Sequence, residues 1–173
     1  MTPVEHIGDW LARRLSAEAS TWLEARVAQL RIGGLERDLY LSVSQVSRRI
    51  GKDPLQLTPD ELQAAAQSRP GWDPADWSVD QAARVYLLLV STADGAELSR
   101  RLDRLCSAAD IGELVAFYRG LPLYPDQPRH SLRAAEGLRS NMRVVFEAVA
   151  HRNPYAAEQF DEQARRGSLE AGK

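Results

Sequence analysis

Apolar residues recur at intervals of three and four positions along almost the whole chain, the spacing that places them on one face of an α-helix. The pattern is clearest in the third such segment, whose face is formed by Leu35, Leu39, Val43, Val46 and Ile50. Gly51 follows directly, and glycine commonly ends helices. No convincing alternation of apolar and polar residues, which would indicate a half-buried strand, is found. The chain is therefore predicted to be all-α.

Three helix starts are marked by capping boxes. In each, a polar N-cap residue is followed three positions later by Glu or Gln, so that the two residues satisfy each other's backbone N–H groups. The three pairs are Thr58 with Glu61, Ser78 with Gln81, and Asp110 with Glu113. Each cap contributes about 1 kcal/mol to helix stability. They support the all-α prediction independently of the periodicity.

The helix that follows Ser78 is apolar nearly all round, so it is predicted to be the central and most buried one. Arg84 lies within it and has no solvent-facing side. Since a buried guanidinium is costly without a counter-ion, we expect a carboxylate partner for Arg84.

A long helix is predicted over residues 131–152, after an extended connection that two prolines impose on residues 121–125. Its core-facing stripe consists of Ala135, Leu138, Met142, Val145, Phe146 and Val149. In all we predict about eight helices in a single domain over residues 1–166, arranged as an irregular bundle or as stacked helix pairs. Residues 167–173 are predicted to form a disordered tail.

Composition and net charge limit the classes of function that the protein can have. A net charge of −2 argues against a general nucleic-acid binder. No apolar stretch approaches the roughly 20 residues that span a bilayer, so no transmembrane segment is predicted. The single cysteine, Cys106, cannot form an internal disulfide and is interpreted as a small buried residue. A cytoplasmic location is the expectation.

Motifs for cofactors and metals are missing from the sequence. The three histidines have no ligand-like spacing to one another or to Cys106. Neither a glycine-rich phosphate loop nor a nucleophile elbow is present. We therefore predict no metal site and no cofactor.

A polar cluster on the long helix is the main candidate for a site. Arg133, Glu136, Arg139 and Asn141 lie close together on a helix, beside Ser140. Such a group can hold an anionic or polyhydroxylated ligand through charge-assisted hydrogen bonds. Gly137 is also present, which predicts a close approach to this backbone by a ligand or, more commonly, by a neighbouring helix.

Three further residues are candidates for ligand binding. Tyr118 and Arg119 lie at the end of the helix capped by Asp110 and have no structural role that the sequence explains. Trp72 lies in an aromatic, proline-rich loop, where it could stack against a planar or sugar-like ligand. The alternative interpretation of Trp72, as a residue that fills the core, is the more common one.

Several segments, taken in order, carry a resemblance to a known family. They are Arg69–Pro74 with Trp77 and Ser78, Ala109 and Asp110 with Glu113 and Leu114, Tyr118–Leu123 with Pro125, Arg133–Asn141, Val145–Ala148, and Asn153–Tyr155. Each is weak alone, but their order and spacing between about Leu35 and Phe160 resemble the EboA family.

The resemblance implies a supporting role in bacterial metabolite traffic or secondary-metabolite biosynthesis. In the family's gene cluster, the neighbours are a prenyltransferase-like membrane protein, a sugar-phosphate-cyclase-like enzyme and hydrolase-like proteins. The implied partners are a small metabolite, including a prenylated one, and other pathway proteins. The resemblance supplies no catalytic residues.

Three functions remain open at this point. The preferred one is a non-enzymatic binding or scaffold protein, and a scaffold predicts an exposed apolar patch rimmed by polar residues. The second is an enzyme with Glu136 or Asp110 as general acid or base, and with Arg133, Arg139 and Arg119 binding phosphate or carboxylate. Neighbouring arginines depress the pKa of a carboxylate and make it a poorer proton donor, which counts against catalysis. The third is a pure subunit-interface role, which predicts that the polar cluster meets another chain instead of a cavity.

Overall fold

The computed structural model describes the backbone of residues 1–171 and the side chains of residues 1–162, 166 and 167. Over this range the chain forms ten α-helices and two short 3-10 helices, with no strand. The α-helices are α1 (Pro3–Arg14), α2 (Ala17–Arg31), α3 (Glu36–Ile50), α4 (Pro59–Ser68), α5 (Val79–Ser91), α6 (Gly95–Ala108), α7 (Ile111–Arg119), α8 (Ser131–Leu138), α9 (Arg143–Ala150) and α10 (Tyr155–Ala171). The 3-10 helices are Leu121–Leu123 and Gln127–His130. The all-α prediction is confirmed.

The helix α5 lies at the centre of the fold, as its apolar sequence predicts. Eight of its thirteen residues are buried. The helices α1, α2, α3 and α7 pack around it, and α7 in turn packs against α9, which lies beside α8. The result is an irregular bundle in which α8 and α9 form an outer pair.

The expected partner of Arg84 is present on the same helix. Its Nη1 lies 3.1 Å from Oδ2 of Asp80, and both side chains are buried. Its Nη2 donates to the Ser47 hydroxyl on α3 at 2.8 Å. The ion pair therefore also ties the central helix to α3.

The three predicted helix starts are confirmed, with two differences in how they are capped. The Thr58 hydroxyl accepts from the Glu61 N–H at 3.2 Å, and Glu61 accepts from the Thr58 N–H at 2.9 Å. Asp110 accepts from the Glu113 N–H at 2.8 Å, but among the described residues Glu113 does not return the hydrogen bond. At the start of α5, Gln81 accepts from the Ser78 N–H at 3.2 Å, but the Ser78 hydroxyl donates to Asp80 instead of accepting from the backbone.

The long helix predicted over residues 131–152 is divided, so the prediction of about eight helices is wrong. The helix α8 ends at Leu138, and the Ser140 hydroxyl accepts from the Met142 N–H at 3.1 Å, in competition with the helical hydrogen bonds. Gly137 lets α7 and α9 approach closely, because a Cβ there would lie 2.6 Å from Val149 Cγ2 and 2.9 Å from Tyr118 Cε1. The close approach is thus made by neighbouring helices.

The break changes which residues face the core. Val145 and Val149 are buried as predicted, but Met142 and Phe146 are 38% and 42% exposed. One continuous helix would place both in its core-facing stripe, but α9 begins anew at Arg143. Leu35 is also exposed, because it lies at the N-cap of α3 outside the helix.

The structure differs from the extended connection predicted over residues 121–125, and α10 reaches into the predicted tail. Residues 121–123 form a 3-10 turn with Pro122 near its start, where a proline fits without a lost hydrogen bond. The helix α10 continues to Ala171, so residues 167–171 extend it, and residues 172 and 173 lie outside the described residues. Disorder of the tail stays a prediction.

A buried histidine closes the second 3-10 turn. His130 is 1% exposed, and its Nε2 lies 2.8 Å from the Pro125 carbonyl oxygen. Its Nδ1 has no hydrogen-bond partner among the described residues. Burial lowers the pKa of His130, although the carboxylates of Asp126 and Asp103 oppose this and Arg129 reinforces it.

Protonation of His130 is expected to destabilise the fold. Because its pKa is lowered in the folded state, the free energy of unfolding should be highest above the unfolded-state value near 6.5 and should fall as the pH drops below it. Urea titrations between about pH 7.5 and pH 5 measure this slope. The variant His130→Gln should show a flatter slope over this interval. An unchanged slope would assign the pH dependence to other groups.

Candidate functional site

Five of the seven predicted site residues line one cleft in the outer layer of the bundle. They are Tyr118, Arg133, Glu136, Arg139 and Asn141. The cleft has a volume of about 480 Å³, within the range of small-molecule sites.

The cleft is built by α7, α8 and the turn that separates α8 from α9. Tyr118 lies one turn after Leu114 on α7, and both face the cleft. Arg133 and Glu136 come from α8, three residues apart on one face. Residues 139–142 form the turn and complete the rim. The break in the predicted helix therefore places the polar rim residues around a cavity.

Arg133 is the least exposed charged residue among those that line the cleft. Its Nη2 lies 2.9 Å from Oδ1 of Asp103 on α6. Burial by itself would lower the pKa of Arg133, but the neighbouring Tyr118 hydroxyl and Asp103 carboxylate raise it overall. Burial also raises the pKa of Tyr118, an effect that Arg133 partly offsets. At neutral pH the cleft thus presents a cationic guanidinium beside a neutral phenol.

The second arginine of the cleft is also paired, but at the surface. Arg139 Nη1 lies 2.9 Å from Oε1 of Glu136, and these side chains are 69% and 60% exposed. An exposed pair of this kind contributes little to stability, about 0–1 kcal/mol, so a ligand can separate it at low cost. Each of the two arginines therefore has a carboxylate partner, and the four charges balance.

Arg119 does not reach the cleft. Its Nη1 donates to the Asp76 carbonyl oxygen at 2.9 Å and to Oε1 of Gln81 at 2.8 Å. Burial lowers its pKa, which the nearby Asp76 carboxylate opposes. The side chain joins the end of α7 to the loop before α5, which is a structural role.

Trp72 also lies elsewhere, in the core near α1. It is 2% exposed, and its ring centroid is 5.5 Å from that of Trp10 and 5.7 Å from that of Trp77. The structure places it where the core interpretation expects it.

The apolar wall of the cleft was missed by sequence reasoning. It is formed by Cys106, Leu114, Met142 and Val145. Leu114 and Val145 have the helical spacing of ordinary core residues, so no sequence signal distinguishes them from other buried residues. Cys106 is buried as predicted, and burial raises the pKa of its thiol to about 12, which leaves it protonated and a poor nucleophile.

A larger groove of about 1100 Å³ lies at the end of α1, beside residues 53–58. The polar groups at its centre form hydrogen bonds with one another. Arg14 Nη1 donates to Glu61 at 3.1 Å, and Arg14 Nε donates to the Leu55 carbonyl oxygen. The hydrogen bond from Arg14 is the main reason that the pKa of Glu61 falls to about 2. This pair anchors the loop, and sequence reasoning, which gave Glu61 only a capping role, missed it.

Neither a metal-binding cluster nor a membrane-spanning helix is found in the described part of the chain. There, no group of three or more His, Cys, Asp or Glu side chains is placed to hold a metal ion. None of the helices described has both the length and the apolar character needed to cross a membrane.

The fold and the cleft define an all-helical protein with a surface cleft of small-molecule size. The chain belongs to the EboA family: the family model described as metabolite traffic protein EboA matches residues 4–167, nearly the whole chain. The resemblance drawn from the sequence segments is thereby confirmed. No curated protein and no solved structure matches the chain.

Proposed function

We propose that the protein is a non-enzymatic binding component of metabolite traffic, and that it holds a small polyhydroxylated metabolite in the cleft between α7, α8 and the 139–142 turn. The observation that carries the proposal is the pairing of both cleft arginines with carboxylates beside an apolar wall.

Charge balance in the cleft favours hydroxyl groups over a strong anion. An anionic ligand would have to compete with Asp103 for Arg133, the less exposed of the two cleft arginines, although the exposed Glu136–Arg139 pair can be separated at low cost. A ligand with several hydroxyls can donate to the carboxylates and accept from the guanidiniums at the same time. Asn141 adds a donor and an acceptor, and the apolar wall can cover the C–H face of a ring or a prenyl group.

Catalysis is disfavoured by the same contacts. A general acid or base needs a carboxylate that is free to exchange a proton with the substrate. Glu136 is paired with Arg139, and Asp110 caps α7. The Cys106 thiol is protonated, so a covalent mechanism through it is disfavoured as well.

A scaffold role has one observation in its favour. Met142 in the 139–142 turn and Phe146 on α9 are partly exposed, and Ile111 at the start of α7 is 50% exposed. Exposed apolar residues with a polar rim are typical of surfaces that contact another protein. A partner bound here would cover the cleft, so pathway proteins and the metabolite could meet at one surface.

Arg133→Gln is expected to weaken binding of a polyhydroxylated ligand about tenfold, because it removes a charge-assisted hydrogen bond. Thermal shift and native mass spectrometry with glucose, myo-inositol and their phosphate esters measure this. Neutral compounds should bind at least as well as the esters.

The matched control is Arg143→Gln. Arg143 is 88% exposed on α9 and is not among the residues that line the cleft. Its variant should bind like the wild type. Equal losses in both variants, or no binding by folded wild-type protein, would remove the support for a polyol site and favour the scaffold.

A further inference from the structure

Large apolar side chains are exposed at the turn that joins α2 to α3. Ile32 is 86% exposed and Leu35 is 58% exposed, and Leu41 on the first part of α3 is 57% exposed. By contrast, the core-facing residues Leu30 and Leu39, which lie on the same two helices, are no more than 5% exposed. The three exposed side chains therefore lie outside the core that α2 and α3 help to form.

The turn keeps its shape without the side chains of Ile32 and Leu35. Gly33 has a φ of +85°, a conformation that favours glycine, and the Gly34 N–H donates to the Gln29 carbonyl oxygen at 3.1 Å. A Cβ at Gly34 would lie only 2.7 Å from that oxygen, so glycine is required there as well. Because backbone contacts and glycines define the turn, the two apolar side chains are available for contacts outside this chain.

Two exposed arginines flank the apolar side chains of this turn. Arg31 directly precedes Ile32, and Arg37 lies four positions before Leu41, so that Arg37 and Leu41 share one outward face of α3. Among the described residues, no carboxylate forms an ion pair with Arg31 or Arg37. Their guanidinium groups are therefore available to an external anion.

The acidic residues near the turn do not cancel its positive charge. Glu36 lies between two arginines of α6, with its Oε1 3.0 Å from Arg100 Nη1 and its Oε2 3.1 Å from Arg104 Nη1. Residues 31–38 and the ion-pair network on α6 together hold five arginines and three carboxylates: Arg31, Arg37, Arg100, Arg101, Arg104, Glu36, Asp38 and Glu97. This region is thus basic in a chain whose net charge is −2.

We infer that the α2–α3 turn docks on the surface of a membrane that contains anionic lipids. Ile32 and Leu35 enter the boundary between the head groups and the acyl chains, and Arg31 and Arg37 donate to lipid phosphates. A protein partner fits this surface less well, because a standard interface takes about 800 Å² from each partner and a turn with three exposed apolar side chains offers much less. The inference does not depend on the function proposed for the cleft.

Co-sedimentation with vesicles tests the inference, with vesicles of phosphatidylcholine and of an equal mixture of phosphatidylcholine and phosphatidylglycerol. The wild type should bind the mixed vesicles about tenfold more tightly than the neutral ones. The double variant Ile32→Ser with Leu35→Ser should weaken binding to the mixed vesicles about tenfold, because it removes both inserted side chains. Arg37→Gln should weaken it about fivefold. All three residues are exposed, so thermal unfolding of these variants should match that of the wild type.

Matched controls change the same chemistry elsewhere on the surface. Leu132→Ser removes an apolar side chain that is 81% exposed on α8, and Arg13→Gln removes an exposed arginine at the end of α1. Both variants, and Arg133→Gln in the cleft, should bind the mixed vesicles like the wild type. Undetectable binding by folded wild-type protein, or equal losses in the controls and the turn variants, would overturn the inference. So would a dimer in analytical ultracentrifugation that forms in place of vesicle binding and that the double variant abolishes.

Discussion

Asp80→Ala is expected to lower the free energy of unfolding by about 3–5 kcal/mol, because it leaves the Arg84 guanidinium in the core without a counter-ion. The side chains of Arg84 and Asp80 are only 4% and 9% exposed, so water cannot replace the lost carboxylate. The remaining hydrogen bond of Arg84, to the Ser47 hydroxyl, carries no charge. The Glu113 carboxylate interacts with Arg84 electrostatically, but it forms no ion pair with Arg84 among the described residues. Urea denaturation followed by circular dichroism measures the change.

Two comparisons make the result interpretable. Glu136→Ala breaks an exposed pair of the same type and should cost no more than about 1 kcal/mol. The double variant Asp80→Ala with Arg84→Met removes both charges and should recover much of the loss, since an apolar replacement of a buried pair is often near neutral. A loss of less than about 1 kcal/mol in Asp80→Ala would mean that Arg84 reaches solvent in the folded protein.

Trp72→Ala is expected to destabilise the protein by about 3–5 kcal/mol through the cavity that it leaves. The indole is packed between Trp10 and Trp77, and neither ring can fill the space without moving the loop or α1. Its Nε1 has no hydrogen-bond partner among the described residues. Trp72→Phe therefore loses no hydrogen bond and should cost clearly less than Trp72→Ala.

The same pair of variants decides between the two interpretations of Trp72. A core residue affects stability but not ligand affinity, so Trp72→Phe should bind polyols in the cleft as the wild type does. Thermal shift with glucose and myo-inositol measures this. Near-wild-type stability of Trp72→Ala, together with lost binding, would instead identify a residue that stacks on the ligand.

The turn between α8 and α9 connects the fold to the proposed site. If residues 131–152 formed one helix, residues 139–142 would continue around its surface instead of forming a rim. The Ser140 side chain and the close packing at Gly137 favour the break. The same break exposes Met142 and Phe146. The observations that support the scaffold and the binding proposals therefore both result from the break between α8 and α9.

The sequence by itself determined the all-α class, the three capped helix starts, the central position of α5 and the need for a partner of Arg84. These features depend on the period of apolar residues and on hydrogen bonds between residues three or four positions apart, which the order of residues specifies directly. The order and spacing of short sequence segments also indicated membership of the EboA family.

Only the tertiary structure decided where α8 ends, which apolar residues face solvent, and which candidates meet. Tyr118 and Arg133 are fifteen positions apart and share a cleft because α7 packs against the outer helix pair. Arg119, adjacent to Tyr118 in sequence, points to the loop before α5. Helical spacing assigns a residue to a face of its own helix, but the partner of that face depends on packing between segments distant in the chain.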